Sequence, residues 1–299
     1  MRRAFVETLC ELAAADDRIV LLTGDLGFLA LEPFRDRYPQ RFFNVGVAEQ
    51  NMMGVATGLA EAGFRPYTYS IATFATMRAF EFIRNGPVLH RLPVRIVGMG
   101  MGFDYGHSGA THYAVEDIAV MRSLPGLRVA IPCDSRHAAA ILKDTANHAG
   151  PVYYSLSKND ALEVPGMGDD AAPLKLVRAG RDILILAMGS IVTAALAAAE
   201  SLGQRGVDAA VAVVSGFNPD PDAAAARLLA GFSRAVTVEA QTLSGGLGAF
   251  TAGVIARHGL ACKLTMLGVR EPHDGRSGSQ AERWRSYGID ADAIMAAIL

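Results

Sequence analysis

The amino-acid sequence predicts an α/β protein of two consecutive domains, each with a mainly parallel sheet flanked by helices. Three observations carry that expectation. Short β-branched or apolar runs alternate with longer helical patterns along the whole chain. At 299 residues the chain reaches the size at which single cores stop growing, near ~250–300 residues, whereas domains cluster around ~100–150. The stretch 158–178, KNDALEVPGMGDDAAPLKLVR, interrupts the alternation with Pro165, Gly166, Gly168, paired aspartates and Pro173, which marks a linker. The domains are accordingly expected at 1–165 and 174–299.

Taken in order, RIVLLT (18–23), VRIVGM (94–99), LRVAIP (127–132) and PVYYSL (151–156) read as buried strands of the first domain. Between them VAEQNMMGVATGLAEAG, FATMRAFEFIRN, VEDIAVMRSL and SRHAAAILKDTANHAG read as helices. The last two open on acidic or serine residues suited to helix N-termini. In the second domain DILILAMGS, DAAVAVVS, RAVTVEA and ACKLTMLGV give four more strands, separated by alanine-rich helices. The uncharged span 183–199 is split by Gly189 and Ser190 into a strand and a helix, each too short to cross ~30 Å of hydrocarbon.

Composition narrows the function classes. A formal net charge of −2 with thinly spread Lys and Arg gives no electrostatic footprint for nucleic acid or an anionic membrane. Hydrophobic residues make up 51% and charged residues only 19%, which predicts surface covered by other subunits and hence an oligomer. Cys10, Cys133 and Cys262 lie far apart without paired spacing, so a reducing cytoplasm is expected, with neither a disulfide framework nor a zinc site. The N-terminal stretch meets Glu7 and Glu11 before any apolar run and does not read as a secretory signal.

Motifs differ in what they support. GMGMG (98–102) follows a strand, but Phe103 stands where a dinucleotide fingerprint needs glycine and no helix is expected to follow. SGGLG (244–248) opens a helix and is able to hold an anion on its amides, although close packing against the sheet is the stronger reading. No HExxH, HxH or calcium-loop pattern occurs, so no metal ligand is assigned.

The segment FFNVGVAEQNMMGVATGLAEAG (42–63) is almost entirely apolar or small, yet it places Glu49 in the first turn of a helix. Helix spacing groups Val45, Met52, Val55, Ala56 and Leu59 on a packed surface. On the residues alone, Glu49 either complements the helix dipole or is a carboxyl in an apolar site, where a raised pKa suits proton donation. In SGATHYAVEDIAVMR (108–122), His112 precedes a helix whose first turn carries Glu116 and Asp117; each is ordinary when taken singly.

Together, RFFNVGVAEQNMMGVATGLAEAG, SIATFATMRAFEFIR, GATHYAVEDIAVMR and VEAQTLSGGLG resemble, in that order, the C-terminal half of transketolase, its pyrimidine-binding and C-terminal domains. The resemblance covers nearly the whole chain and is closest to split transketolases, whose halves are separate polypeptides. It implies thiamin diphosphate and Mg2+ as cofactors. The family's GDG motif and paired asparagines are missing, since only Gly24, Asp25 and Leu26 occur and no Asn-Asn pair is found. The implied partner is therefore an N-terminal subunit carrying those motifs, in a heterotetramer with two copies of each chain and active sites between chains.

By the same resemblance, Glu49 would hydrogen-bond the cofactor's aminopyrimidine, Phe74, Met77 and Phe80 would surround that ring, and Asp25 would lie near it. His112 would contact the donor's oxygens. Substrate positions depart from the sugar-phosphate enzymes: Ser108 replaces an aspartate, Gly100 a histidine and Lys158 an arginine, while Arg2 retains one cationic contact and His107 adds a candidate one. Losing a bidentate arginine weakens phosphate recognition and directs the expectation toward specialised metabolism. Within the superfamily, a 2-oxoacid dehydrogenase β subunit and a deoxyxylulose-phosphate-synthase-like chain are the alternatives; a noncatalytic scaffold is the alternative of another class.

Overall fold

The computed structural model describes residues 1–270 and 274–299. In the first half, α1 (Arg2–Ala15), β1 (Ile19–Thr23), α2 (Glu32–Arg37), β2 (Phe42–Asn44), α3 (Glu49–Glu61), β3 (Arg65–Ile71), α4 (Phe80–Ile83), β4 (Arg95–Met99), α5 (Asp117–Arg122), β5 (Arg128–Ala130), α6 (Ser135–Thr145) and β6 (Val152–Leu156) follow one another. The second half has β7 (Leu174–Arg178), β8 (Ile183–Ala187), α7 (Val192–Gly203), β9 (Ala209–Val214), β10 (Gly216–Phe217), α8 (Asp222–Leu229), β11 (Arg234–Thr242), α9 (Leu247–His258), β12 (Lys263–Val269), α10 (Gln280–Ser286) and α11 (Ala291–Ile298).

Strands form two sheets, ordered β10-β5-β6-β4-β3-β1-β2 and β12-β11-β8-β9-β7. Every pairing is parallel except β10 with β5 and β7 with β9. Central strands such as β1, β4, β6 and β8 are buried along their whole length, as parallel strands covered on both faces must be. Helix α1 covers one face because Phe5, Val6, Leu9, Cys10 and Ala13 recur at helical spacing and are buried.

Four strands escape the sequence pattern. β2 is three residues at an exposed edge, and β10 is two residues long. β3 carries Pro66 and alternating polar residues, yet its central five residues are buried. β7 falls inside the stretch read as linker and pairs with β9. The helix expected over 74–85 is instead a π-helical turn at Phe74–Arg78, the short α4, and a second π turn at Arg84–Val88 that contains Pro87. Proline lacks the N–H that a regular helix interior needs.

The halves are interlocked. β10, from the second, pairs antiparallel with β5 of the first through Gly216↔Ala130 and Phe217↔Val129. Asn218, at φ 53°, donates through its side-chain amide toward the carbonyls of Arg122, Leu124 and Leu127. Arg122 in turn bonds Asp220 at 2.6 Å and lies over the rings of Phe217 and Phe250. A single apolar cluster, including Met53, Ile118 and Val129 with Leu184, Leu247 and Phe250, runs through both halves. No helix among the described residues is long and apolar enough to cross a membrane.

Candidate functional site

β1 lies between β2 and β3, so the chain leaves it once to each side. Such a reversal opens a crevice at the carboxyl ends of the strands, the usual ligand position in open α/β sheets. Asp25 follows β1, Glu49 follows β2, and Ser70, Phe74, Met77 and Arg78 lie at or beyond the end of β3. The loop after β4 carries His107, Ser108 and His112, and Lys158 follows β6. Most residues singled out in the sequence thus lie at one end of the sheet.

Glu49 is 1% exposed although it begins α3. Its Oε1 accepts a hydrogen bond from Ser70 Oγ at 2.9 Å, and its Oε2 accepts one from Arg78 Nη1 at 2.6 Å. The expectation of a carboxyl among apolar groups is therefore corrected: a guanidinium and a hydroxyl hold it. Beneath it α3 buries Met52, Met53, Ala56 and Ala60, whereas Val55, expected on the same packed face, is 39% exposed on the outer side with Gly54 and Gly58.

From Glu49 a row of contacts leads outward. Arg78 lies over the Phe74 ring at 4.5 Å, Phe74 meets His112 edge-on at 5.2 Å, and His112 stands 6.2 Å from the Tyr105 ring. Lys158 Nζ lies 4.5 Å from the Tyr105 centroid, and Arg2 acts electrostatically on the same tyrosine. His112 Nδ1 is 3.0 Å from the Thr111 hydroxyl. Met77 is 41% exposed, and Phe80 is packed onto the hydrophobic core. The π turn explains the divergence, because spacings of three and six share a face only on a regular helix.

The loop bearing His107, Ser108 and His112 is closed at its base, where Gly102 and Ala114 exchange backbone hydrogen bonds of 3.1 and 2.9 Å. It is also gripped by the second domain: Thr242 N donates to Val115 O at 2.7 Å, Ser190 N approaches Met101 Sδ at 3.3 Å, and Gln280 Nε2 donates to Asp104. Asp104 also accepts from Lys158 N at 2.9 Å, and burial pushes its carboxyl up to about 6. The second sheet's own reversal point, at β8, is thus filled by protein and buttresses the first domain's loop.

The glycines of GMGMG and SGGLG serve packing. A Cβ on Gly98 would come 2.6 Å from Tyr153 Oη, and one on Gly102 2.9 Å from Ala240 Cβ. Gly100, assigned to substrate, is buried directly beneath the Tyr105 ring, which corrects the assignment by covering the glycine. The amides opening α9 are already engaged: Leu247 N and Gly248 N both donate to the buried carboxyl of Glu239 at 2.8 Å. A Cβ on Gly246 would fall 1.9 Å from Glu239 Oε2. Burial raises the Glu239 carboxyl to about 7. Asp117 is likewise buried, pushed up to about 6, and bonded by Tyr153 Oη and Ser155 Oγ at 2.7 and 2.8 Å.

Asp25, exposed at φ 57°, exchanges two hydrogen bonds with Asn44. His107 and Ser108 are exposed, and His107 lies within electrostatic reach of Glu282 rather than in the row. Ser70, Arg78 and Tyr105 were not singled out in the sequence. Arg78 carried a signal, as a cation inside the apolar run FATMRAFEFI; Ser70 and Tyr105 carried none. Among the described residues, no group of three or more His, Cys, Asp or Glu is gathered to hold a metal ion.

Residues 1–162 match the family profile described as transketolase, pyrimidine binding domain, and residues 173–294 the one described as transketolase, C-terminal domain. A putative transketolase C-terminal section from Methanocaldococcus jannaschii is 37% identical over 305 residues, which span 100% of this chain and 95% of that protein. A 6-deoxy-6-sulfo-D-fructose transketolase subunit from Clostridium sp. strain MSTE9 is 34% identical over 99% of this chain and 92% of its own length. A solved structure titled split gene transketolase, inactive beta4 tetramer superposes with a TM-score of 0.87 at 32% identity, covering 99% of this chain and 96% of that one.

Proposed function

The chain belongs to the transketolase family, and we propose that it is the C-terminal subunit of a two-chain thiamin-diphosphate-dependent enzyme. Its reaction transfers a two-carbon ketol or acyl unit from a ketose or 2-oxoacid donor to an aldehyde or ketone acceptor. The observation that carries this reading is the joining of Glu49, Phe74 and His112, from three different strand ends, in one row of contacts at the sheet's reversal point.

These residues fit a planar heterocycle: a buried carboxylate able to share a proton, an aromatic ring beside it and an imidazole beyond. When bound, thiamin diphosphate supplies a nucleophilic carbon that allows a bond next to a carbonyl to be broken and remade. Ser70 fixes the carboxyl of Glu49 through Oε1, so that the other oxygen is the one that exchanges a proton. Phe74 excludes water from one side, and His112 donates a hydrogen bond to a substrate oxygen on which negative charge develops. The diphosphate and Mg2+ fall to an N-terminal partner chain carrying the GDG and paired-asparagine motifs, because neither occurs here. Asp25 stands at the edge facing that partner.

Lys158, beside Tyr105, and Arg2, within electrostatic reach of it, favour a substrate with one anionic end remote from its carbonyl. The 34% identical relative is named for a 6-sulfo sugar, which agrees with that chemistry. Single cations replace a bidentate phosphate clamp. We place the assembly as a heterotetramer of two chains of each kind, acting in the cytoplasm.

The test combines the purified chain with its partner, thiamin diphosphate and Mg2+, and follows carbon-carbon bond transfer from a ketose. Glu49→Gln should lower kcat by about 10²–10⁴-fold, the range of a positioned proton-transfer group. An unchanged kcat would remove Glu49 from the chemistry, and absence of cofactor binding in every mixture would favour the scaffold.

A further inference from the structure

Arg78 makes, with one planar group, the two contacts that the proposed site offers a ring. Its guanidinium donates to Glu49 Oε2 at 2.6 Å and lies 4.5 Å over the Phe74 ring. A guanidinium is flat, delocalised and stacks on aromatic faces much as a heterocycle does. Two flat groups cannot occupy the same space against one carboxylate and one ring.

The two partners differ in freedom. Glu49 is 1% exposed and held by Ser70, whereas the Arg78 side chain is 37% exposed on a π-helical turn. Such turns locally relax the regular hydrogen-bond ladder and recur at functional sites. A buried carboxylate without a partner is strongly unfavourable, so the ion pair stabilises this chain when nothing else satisfies Glu49. A guanidinium fixed there nevertheless occupies Oε2, the carboxyl oxygen that an incoming ring would need.

We propose that Arg78 is a positioning residue that serves as a placeholder: it satisfies Glu49 and covers Phe74 in the unloaded chain, and it swings outward when the cofactor's aminopyrimidine enters. This inference rests on the cofactor reading above.

The test measures binding, not turnover. Thiamin diphosphate is titrated by calorimetry into the two-chain complex with wild-type chain, Arg78→Met and Arg78→Lys. Removing a competing charge-assisted hydrogen bond should tighten binding by Arg78→Met about tenfold or more, and Arg78→Lys, which keeps the charge but not the flat stack, should fall between. Equal affinity, or weaker binding by Arg78→Met with recovery in Arg78→Lys, would overturn the placeholder and leave Arg78 as a constant support of Glu49.

A double-mutant cycle of Arg78→Met and Glu49→Gln, read from denaturant midpoints, supplies the second arm. Coupling should be present in the isolated chain and absent from the loaded complex. No coupling in the isolated chain sinks the placeholder whatever the complex does. Failure of every variant, wild type included, to bind thiamin diphosphate strikes the cofactor reading instead, and removes the placeholder with it, while the isolated-chain coupling still reports whether the pair exists.

Discussion

Glu239 shows how one buried carboxyl governs a local architecture. It begins from an ordinary value of 4.5 and is held near 7 by burial, against the opposing pull of the Leu247 and Gly248 amides. Between these two values the folded chain keeps a proton that the unfolded chain has released. The contribution is therefore full below about pH 4.5 and declines as pH rises toward 7. Glu239→Gln should flatten the fall in stability across that window by up to about 1.4 kcal/mol per pH unit, read from urea unfolding at several pH values. Parallel wild-type and variant profiles would contradict the assignment. Asp104 and Asp117, both pushed up to about 6 by burial, should retain their share of the slope in the variant.

The residue scale also shows where sequence reading succeeds. Glu49 stood out because a charge in an apolar run is locally odd, whereas His112 was ordinary taken singly and only the family resemblance joined the two. Arg78 was locally odd as well but belonged to no recognised position. Ser70 carried no signal in the sequence, and its role depends on β3 lying beside β1, a pairing between residues far apart in the chain.

Among the elements, the segment β10–α8 and helix α5 couple the two halves. Arg122, at the end of α5, combines the Asp220 ion pair, two ring contacts and a 3.2 Å bond to Gly245 O. Its side chain is only 18% exposed, so solvent screens it weakly. Arg122→Ala should lower stability by about 2–3 kcal/mol, the worth of a partly buried charged hydrogen bond with its ring contacts. A urea midpoint shift corresponding to less than about 0.5 kcal/mol would show that the seam is held by the apolar cluster alone.

At the scale of the whole molecule, the open end of the first sheet is rimmed by Phe28, Leu29, Phe43 and Val47, exposed by 68%, 93%, 41% and 71%. Leu29 also adopts φ 62°, a region that costs a leucine more than an aspartate. Neither feature benefits an isolated chain, and both suit a face that another chain covers. Leu29→Asp should leave the isolated chain's stability unchanged or slightly raised. It should weaken association, with copies of itself or with the partner, by about tenfold or more, as burial of one leucine implies. Sedimentation velocity over a concentration series reads both; unaltered association would place the contact surface elsewhere.

The sequence by itself determined the α/β class, most of the buried parallel strands and the family. Each of these depends on periodicity, turn chemistry or motif order, which are local properties. Tertiary structure alone decided that β3 and the two-residue β10 are strands, that FATMRAFEFIRN winds as π turns, and that the amides of SGGLG are already held by Glu239. It also set Arg78 against Glu49. In each of those cases the deciding contact joins residues far apart in the chain or depends on burial, and neither burial nor a distant partner is written in a residue's neighbours.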